Sequence, residues 1–127
     1  MLLVEDDADL AGVVIEALEQ DGHQATHVRG PAEACEMATT DKWDAFVVDA
    51  FGALEEPDAD YKATLKHLAS HGRVVVTTAR AWGMHTEAGN IGADALLSKP
   101  YNLADLANAL SSPRVAVTTS PAAQTRV

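Results

Sequence analysis

The chain has 127 residues, enough for one domain with a full core and too few for two of ordinary size. It carries 9 Lys plus Arg against 19 Asp plus Glu, a formal net charge of -10, which argues against a basic surface for nucleic acid or anionic membrane and is compatible with a divalent cation or a basic partner. Its one cysteine, Cys35, excludes an intramolecular disulfide framework and a Cys-rich zinc site.

Met1 to Val4 is a short apolar run and reads as a first strand. Leu10, Val13, Val14, Ala17 and Leu18 recur at helical spacing and predict one buried helix face, closed by Asp21-Gly22. Gln24 to Val28 reads as a weak second strand. Gly30-Pro31 opens a second helix, with Ala34, Cys35 and Ala38 as its face. Ala45 to Val48 is a continuous apolar run ending at Asp49, the pattern of a parallel strand covered on both sides. An acidic loop with Glu55, Glu56, Asp58 and Asp60 follows, and Tyr61, Leu65 and Leu68 space as a third helix face, closed by Gly72. Val74 to Val76 is a fourth buried strand that runs into Thr77 and Thr78. Met84, Ala88 and Ile91 predict a short fourth helix, weakened by Gly89 and Gly92. Ala95 to Leu97 leads to Ser98-Lys99-Pro100 as a fifth strand. Leu103, Leu106, Ala107 and Leu110 give the last helix, with Asn102 as its N-cap. Residues 113–127 read as a flexible tail, with Val115-Ala116-Val117 a candidate edge strand, which leaves 1–112 as the domain.

Strand and helix thus alternate five times. This (βα)5 order predicts an α/β, doubly wound parallel five-stranded sheet with helices on both faces. No apolar run approaches the ~20 residues of a membrane span. The first residues lack the basic and long apolar regions of a secretory signal, so a cytoplasmic location is expected.

Ligands of an open parallel sheet bind beyond the carboxyl ends of its strands. The polar residues there are Glu5, Asp6 and Asp7 after the first strand and Asp49 after the third. Thr77 and Thr78 follow the fourth, and Ser98 and Lys99 the fifth. Neighbouring carboxylates raise one another's pKa, and Mg2+ relieves that repulsion while keeping room for water and a phosphate oxygen. A hydroxyl and an ammonium opposite them suit the remaining oxygens of a phosphoryl group. The set reads as a phosphoryl-transfer site with Asp49 as nucleophile. Asp7 reads equally as a favourable charge at a helix N-terminus, and Thr77 as a strand former.

The segments Leu3-Val4-Glu5-Asp6-Asp7, Asp49, Val76-Thr77-Thr78-Ala79 and Ser98-Lys99-Pro100 resemble, in that order, the receiver domains of two-component response regulators. The resemblance covers residues 1–112 and implies the flavodoxin-like strand order 2-1-3-4-5. It implies that Asp49 accepts phosphate from a histidine kinase or histidine phosphotransfer protein. Mg2+ would be held by Glu5, Asp6, Asp49 and the backbone carbonyl of Phe51, while Thr78 and Lys99 contact the phosphoryl group. Such a protein is no enzyme beyond self-catalysed transfer and slow autodephosphorylation. It would act as a monomer or phosphorylation-dependent dimer on a downstream protein target, without nucleic acid or membrane. That target would sit on the face of the fourth helix, fifth strand and fifth helix, with Met84, Leu96 and Ala107. Phe51 and Arg80, flanking the path of an attacking water, would form a lid over the phosphoryl group.

Three departures stand out: Ala53 replaces the usual proline, the loop from Leu54 to Asp60 is unusually acidic, and Leu96 replaces the usual switch aromatic. Leu96 and the acidic loop keep open a degenerate receiver that binds partners without phosphate. The segment Asp49-Ala50-Phe51-Gly52-Ala53-Leu54 also resembles the first motif of haloacid-dehalogenase-type hydrolases. Those enzymes carry their acidic pair after the lysine, whereas here the pair Glu5-Asp6 precedes Asp49.

Overall fold

The computed structural model describes residues 1–49, 59–78, 87–99 and 101–111. Five strands form one sheet: β1 (Leu2–Val4), β2 (Thr26–Val28), β3 (Ala45–Asp49), β4 (Arg73–Thr78) and β5 (Ala95–Ser98). All pairings are parallel and the order is β2-β1-β3-β4-β5, the order that the receiver resemblance implies. The helices are α1 (Ala8–Gln20), α2 (Pro31–Thr40), α3 (Ala59–Ala69) and α4 (Leu103–Ser111).

Strand alternation divides the core into two layers. Leu2, Val4, Phe46, Val48, Val74 and Val76 face one side, where Ala34 and Ala38 of α2 and Tyr61, Leu65 and Leu68 of α3 cover them. Leu3, Val47 and Val75 face the other, under Ala11 and Leu18 of α1 and Leu106 and Ala109 of α4. The central strands β3 and β4 carry apolar residues on both faces because helices cover both.

Two sequence expectations need correction. The buried stripe of α1 is Ala11 and Leu18 with Val14 and Ile15 beside them, whereas Leu10 is 36% and Val13 65% exposed. This helix is apolar around more than half its circumference, so periodicity offers two arcs. The arc with the small Ala11 against the sheet is the one that packs. The second correction concerns the fourth helix, whose described part is a single 3-10 turn, Ala88–Ile91. It ends at Gly92, whose φ of 87° is a left-handed conformation that a residue without a Cβ adopts freely. Met84 lies outside the described residues, as do Phe51, Ala53, Arg80, most of the acidic loop and the segment 113–127.

The start of α4 follows expectation. Asn102 Oδ1 accepts from the Asp105 N–H at 2.8 Å, and the Asp105 carboxylate accepts from the Asn102 N–H at 3.2 Å. This reciprocal capping arrangement fixes where the helix begins. Gly72, between α3 and β4, is required for a different reason. A Cβ there would lie 2.8 Å from the Trp43 carbonyl oxygen and 3.2 Å from both the Asp44 carbonyl oxygen and Phe46 Cε2. Backbone cannot yield as a flexible side chain does, so Gly72→Ala is expected to destabilise the fold by about 1–3 kcal/mol. Urea denaturation checks this, and an unchanged midpoint refutes the close approach.

Candidate functional site

Parallel pairing sets the strand ends side by side. Val4 of β1 pairs with Val48 of β3, so Glu5 and Asp49, each one residue further, emerge as neighbours. Asp49 pairs in turn with Thr77 of β4, and Thr78 with Ser98 of β5. One ligand oxygen from each of Glu5, Asp6 and Asp49 can be chosen so that all lie within 4.8 Å of one another. Lys99 reaches into this group from the end of β5. Its Nζ donates to Asp49 Oδ1 at 2.6 Å and stands 3.7 Å from Glu5 Oε1.

The three acids of the β1–α1 connection have separate surroundings. Glu5 is 4% exposed and accepts from the Asp7 N–H at 3.3 Å. Asp6 is exposed to solvent. Asp7 turns away as the N-cap of α1, its Oδ1 accepting from the Asp9 and Leu10 N–H groups at 3.0 and 3.2 Å, so its cap role is the one realised. Thr78 is fully buried at the end of β4, and its carbonyl accepts from the Lys99 N–H at 2.7 Å. Thr77 is buried beside it and borders a groove of about 380 Å³ together with Glu5, Lys99 and Tyr101. A separate cavity of about 500 Å³, bordered by Met1, His23, Trp43 and Leu110, lies at the opposite edge of the sheet and takes no part in the site. Phe51, proposed to lend its carbonyl to a metal, is outside the described residues.

Two contacts carried no local sequence signal. The Tyr61 hydroxyl, on α3, donates to the backbone carbonyl of Asp49 at 3.1 Å. His27 Nε2 lies 2.7 Å from the backbone carbonyl of Glu5, a hydrogen bond in the tautomer that carries its proton there. Both are side chains bonding to backbone of a distant segment. Tyr61 reads in sequence only as one apolar position of a helix face, and His27 only as part of a weak strand.

Three carboxylates and one ammonium leave two negative charges over, which matches a divalent cation. The side chains that could ligate it offer carboxylate oxygens, as a hard divalent cation prefers, and the exposed Asp6 keeps one side of the cluster open to solvent. The electrostatics point the same way. Burial, with the charge of Asp49 added, pushes the Glu5 carboxyl above its usual 4.5, while the Asp7 N–H and Lys99 act in the opposite direction. Burial alone would lower Lys99, but the hydrogen bond and charge of Asp49, with Glu5 behind them, outweigh it and hold the ammonium above its usual 10.5. Burial also raises the Tyr101 phenol.

These shifts set the sign of the pH dependence. Glu5 binds its proton more tightly folded than unfolded, so its contribution to stability falls as pH rises from 4.5 through the raised folded value. Lys99 stabilises below 10.5, and that contribution is lost as pH rises through its raised folded value. With a chelator present, Glu5→Gln is therefore expected to raise the melting temperature at pH 7 and to flatten the decline above pH 4.5. Thermal melts across this range check it, and a variant that melts lower than wild type at pH 7 would sink the account.

Neither a protein-family model nor a curated protein matches the sequence. Solved structures do match. A response regulator protein from Burkholderia pseudomallei, with a phosphorylated aspartic acid, a calcium ion and citrate, is 25% identical with a TM-score of 0.70, over 87% of this chain and 65% of that one. A CheY-like response regulator receiver domain from Methylobacillus flagellatus is 28% identical with a TM-score of 0.66, over 83% of this chain and 89% of that one. The chemotaxis protein CheY4 of Vibrio cholerae is 21% identical with a TM-score of 0.67, over 86% of this chain and 92% of that one. With its 2-1-3-4-5 parallel sheet and these neighbours, the chain has the fold of CheY-like response regulator receiver domains.

Proposed function

We propose that the protein is a phosphoacceptor signalling domain in which Asp49 takes a phosphoryl group from a phosphohistidine donor. The observation that carries this reading is the contact of Lys99 Nζ with one oxygen of Asp49 beside the carboxylates of Glu5 and Asp6. The similar regulator from Burkholderia pseudomallei, with its phosphorylated aspartic acid and calcium ion, supports it.

Lys99 engages Asp49 Oδ1, which leaves the second carboxylate oxygen to attack phosphorus. The O–P bond forms as the N–P bond to the donor imidazole breaks, and the released imidazole regains a proton. Lys99 then turns its positive charge to a phosphoryl oxygen, and the hydroxyl of Thr78, at the adjoining strand end, serves as donor to another. Glu5, Asp6 and Asp49 would hold Mg2+, with the carbonyl of Phe51 as a further ligand. When bound, it supplies positive charge that offsets the carboxylates and the charge developing on the phosphoryl oxygens.

The donor must bring an imidazole to Asp49, and a surface for it stands alongside. Leu10, Val13 and Leu103 are exposed apolar residues bordering the groove that also holds Glu5 and Lys99. Exposed apolar patches next to a reactive group suit a protein partner. A histidine kinase or histidine phosphotransfer protein fits that role upstream, in the cytoplasm. The downstream target is a protein, met on the face that carries Leu96 and Ala107. No helix among the described residues is long and apolar enough to cross a membrane.

Incubation with acetyl phosphate and Mg2+ is expected to add one phosphoryl group to the intact mass of the wild type and none to Asp49→Asn. Undiminished labelling of the variant overturns the assignment. A folded wild type that takes no label favours the phosphate-independent binding module instead.

A further inference from the structure

We infer that Tyr61 is a positioning residue for the phosphoacceptor: its buried hydroxyl ties the backbone of Asp49 to helix α3 and so sets where the reactive carboxylate stands. This inference rests on the reading of Asp49 as phosphoacceptor and assigns to that site a residue from an element that supplies none of its ligands.

Tyr61 is 7% exposed, and its ring stands on the same face of α3 as Leu65 and Leu68, both fully buried against the sheet. The ring is thereby held by packing, and its hydroxyl meets the Asp49 carbonyl at 3.1 Å. Asp49 is the last residue of β3, paired with Thr77, so strand pairing supports it on the side it enters from. The Tyr61 bond supports it where the chain leaves the strand. A buried carbonyl needs a donor, and a donor on a rigid element restrains rotation of the peptide plane that follows the reactive residue.

That restraint matters because the Asp49 carboxylate must satisfy several partners at once. One oxygen lies 2.6 Å from Lys99 Nζ, and the carboxylate must also stay within reach of Glu5 and Asp6. Sites of this kind lose rate when their geometry loosens by a fraction of an ångström.

The test is Tyr61→Phe, which removes the hydroxyl and keeps the ring. Labelling by acetyl phosphate is followed at saturating Mg2+, at a temperature where circular dichroism reports wild type and variant alike as fully folded. A purely structural tyrosine would lower the melting temperature and leave this rate unchanged. The expected result is a saturating rate lower by about threefold to tenfold, the loss of one buried hydrogen bond expressed in the reacting state, with the label still on Asp49. A rate within twofold of wild type overturns the inference. If Tyr61→Phe does not fold, 3-fluorotyrosine placed at position 61 alone keeps the ring and alters the strength of the donor. A changed rate then supports the tether and an unchanged one refutes it. A wild type that takes no label refutes the phosphoacceptor reading and this inference with it. A labelled wild type with an unaffected Tyr61→Phe refutes the tether alone.

Discussion

The ion pair between Lys99 and Asp49 holds together an edge of the sheet that would otherwise be driven apart by its own charge. Parallel pairing brings every strand's carboxyl end to that edge, so acidic residues at the ends of β1 and β3 are forced into proximity by register alone. Without a counter-charge the fold would carry the full repulsion of three carboxylates. Lys99 offsets part of it, and its reach is set at both ends. Its backbone N–H is bonded to Thr78, and the capped start of α4 lies three residues on. What Lys99 leaves uncompensated is the negative charge that would attract a divalent cation, so the pull on a metal and the cost to the metal-free fold would have one source.

The two faces of the sheet have different tasks at this edge. The face under α2 and α3 is closed by large buried side chains and carries Tyr61, whose ring belongs to the core and whose hydroxyl belongs to the site. The face under α1 and α4 opens into the groove between those helices, with Thr77 and Tyr101 at its border. The Asp49 carboxylate is thus supported from a rigid side and open to approach from the other.

Much of this was legible in the sequence because it rests on local patterns. A continuous apolar run ending in an acid marks a buried parallel strand, and Asp49 stands at the end of β3 as that pattern requires. Asn102 as a cap and the α3 face of Tyr61, Leu65 and Leu68 were legible for the same reason. The orientation of α1 was not. Its apolar residues cover two adjoining arcs, and only the fit of Ala11 against the sheet chooses between them. The described part of the fourth helix shrank to a 3-10 turn because Gly89 and Gly92 lower helix propensity and Gly92 takes a left-handed conformation. The bonds from Tyr61 and His27 to distant carbonyls left no trace at all, since a side chain that bonds to backbone constrains nothing about the residue it bonds to.

The connection from β1 to α1 is only three residues long, and each is committed: Glu5 inward among the charges, Asp6 at the solvent side, Asp7 on the free N–H groups of the helix. The segment has no slack in length. One inserted residue would turn α1 by about 100° relative to the sheet, lifting Ala11 and Leu18 out of the core. One deletion would set the helix cap against the acidic cluster for the same residue. Length variation among descendants of this sequence should therefore accumulate elsewhere, in turns such as Asp21–Ala25 whose residues carry no such double duty, while Glu5-Asp6-Asp7 drifts in composition before it drifts in length.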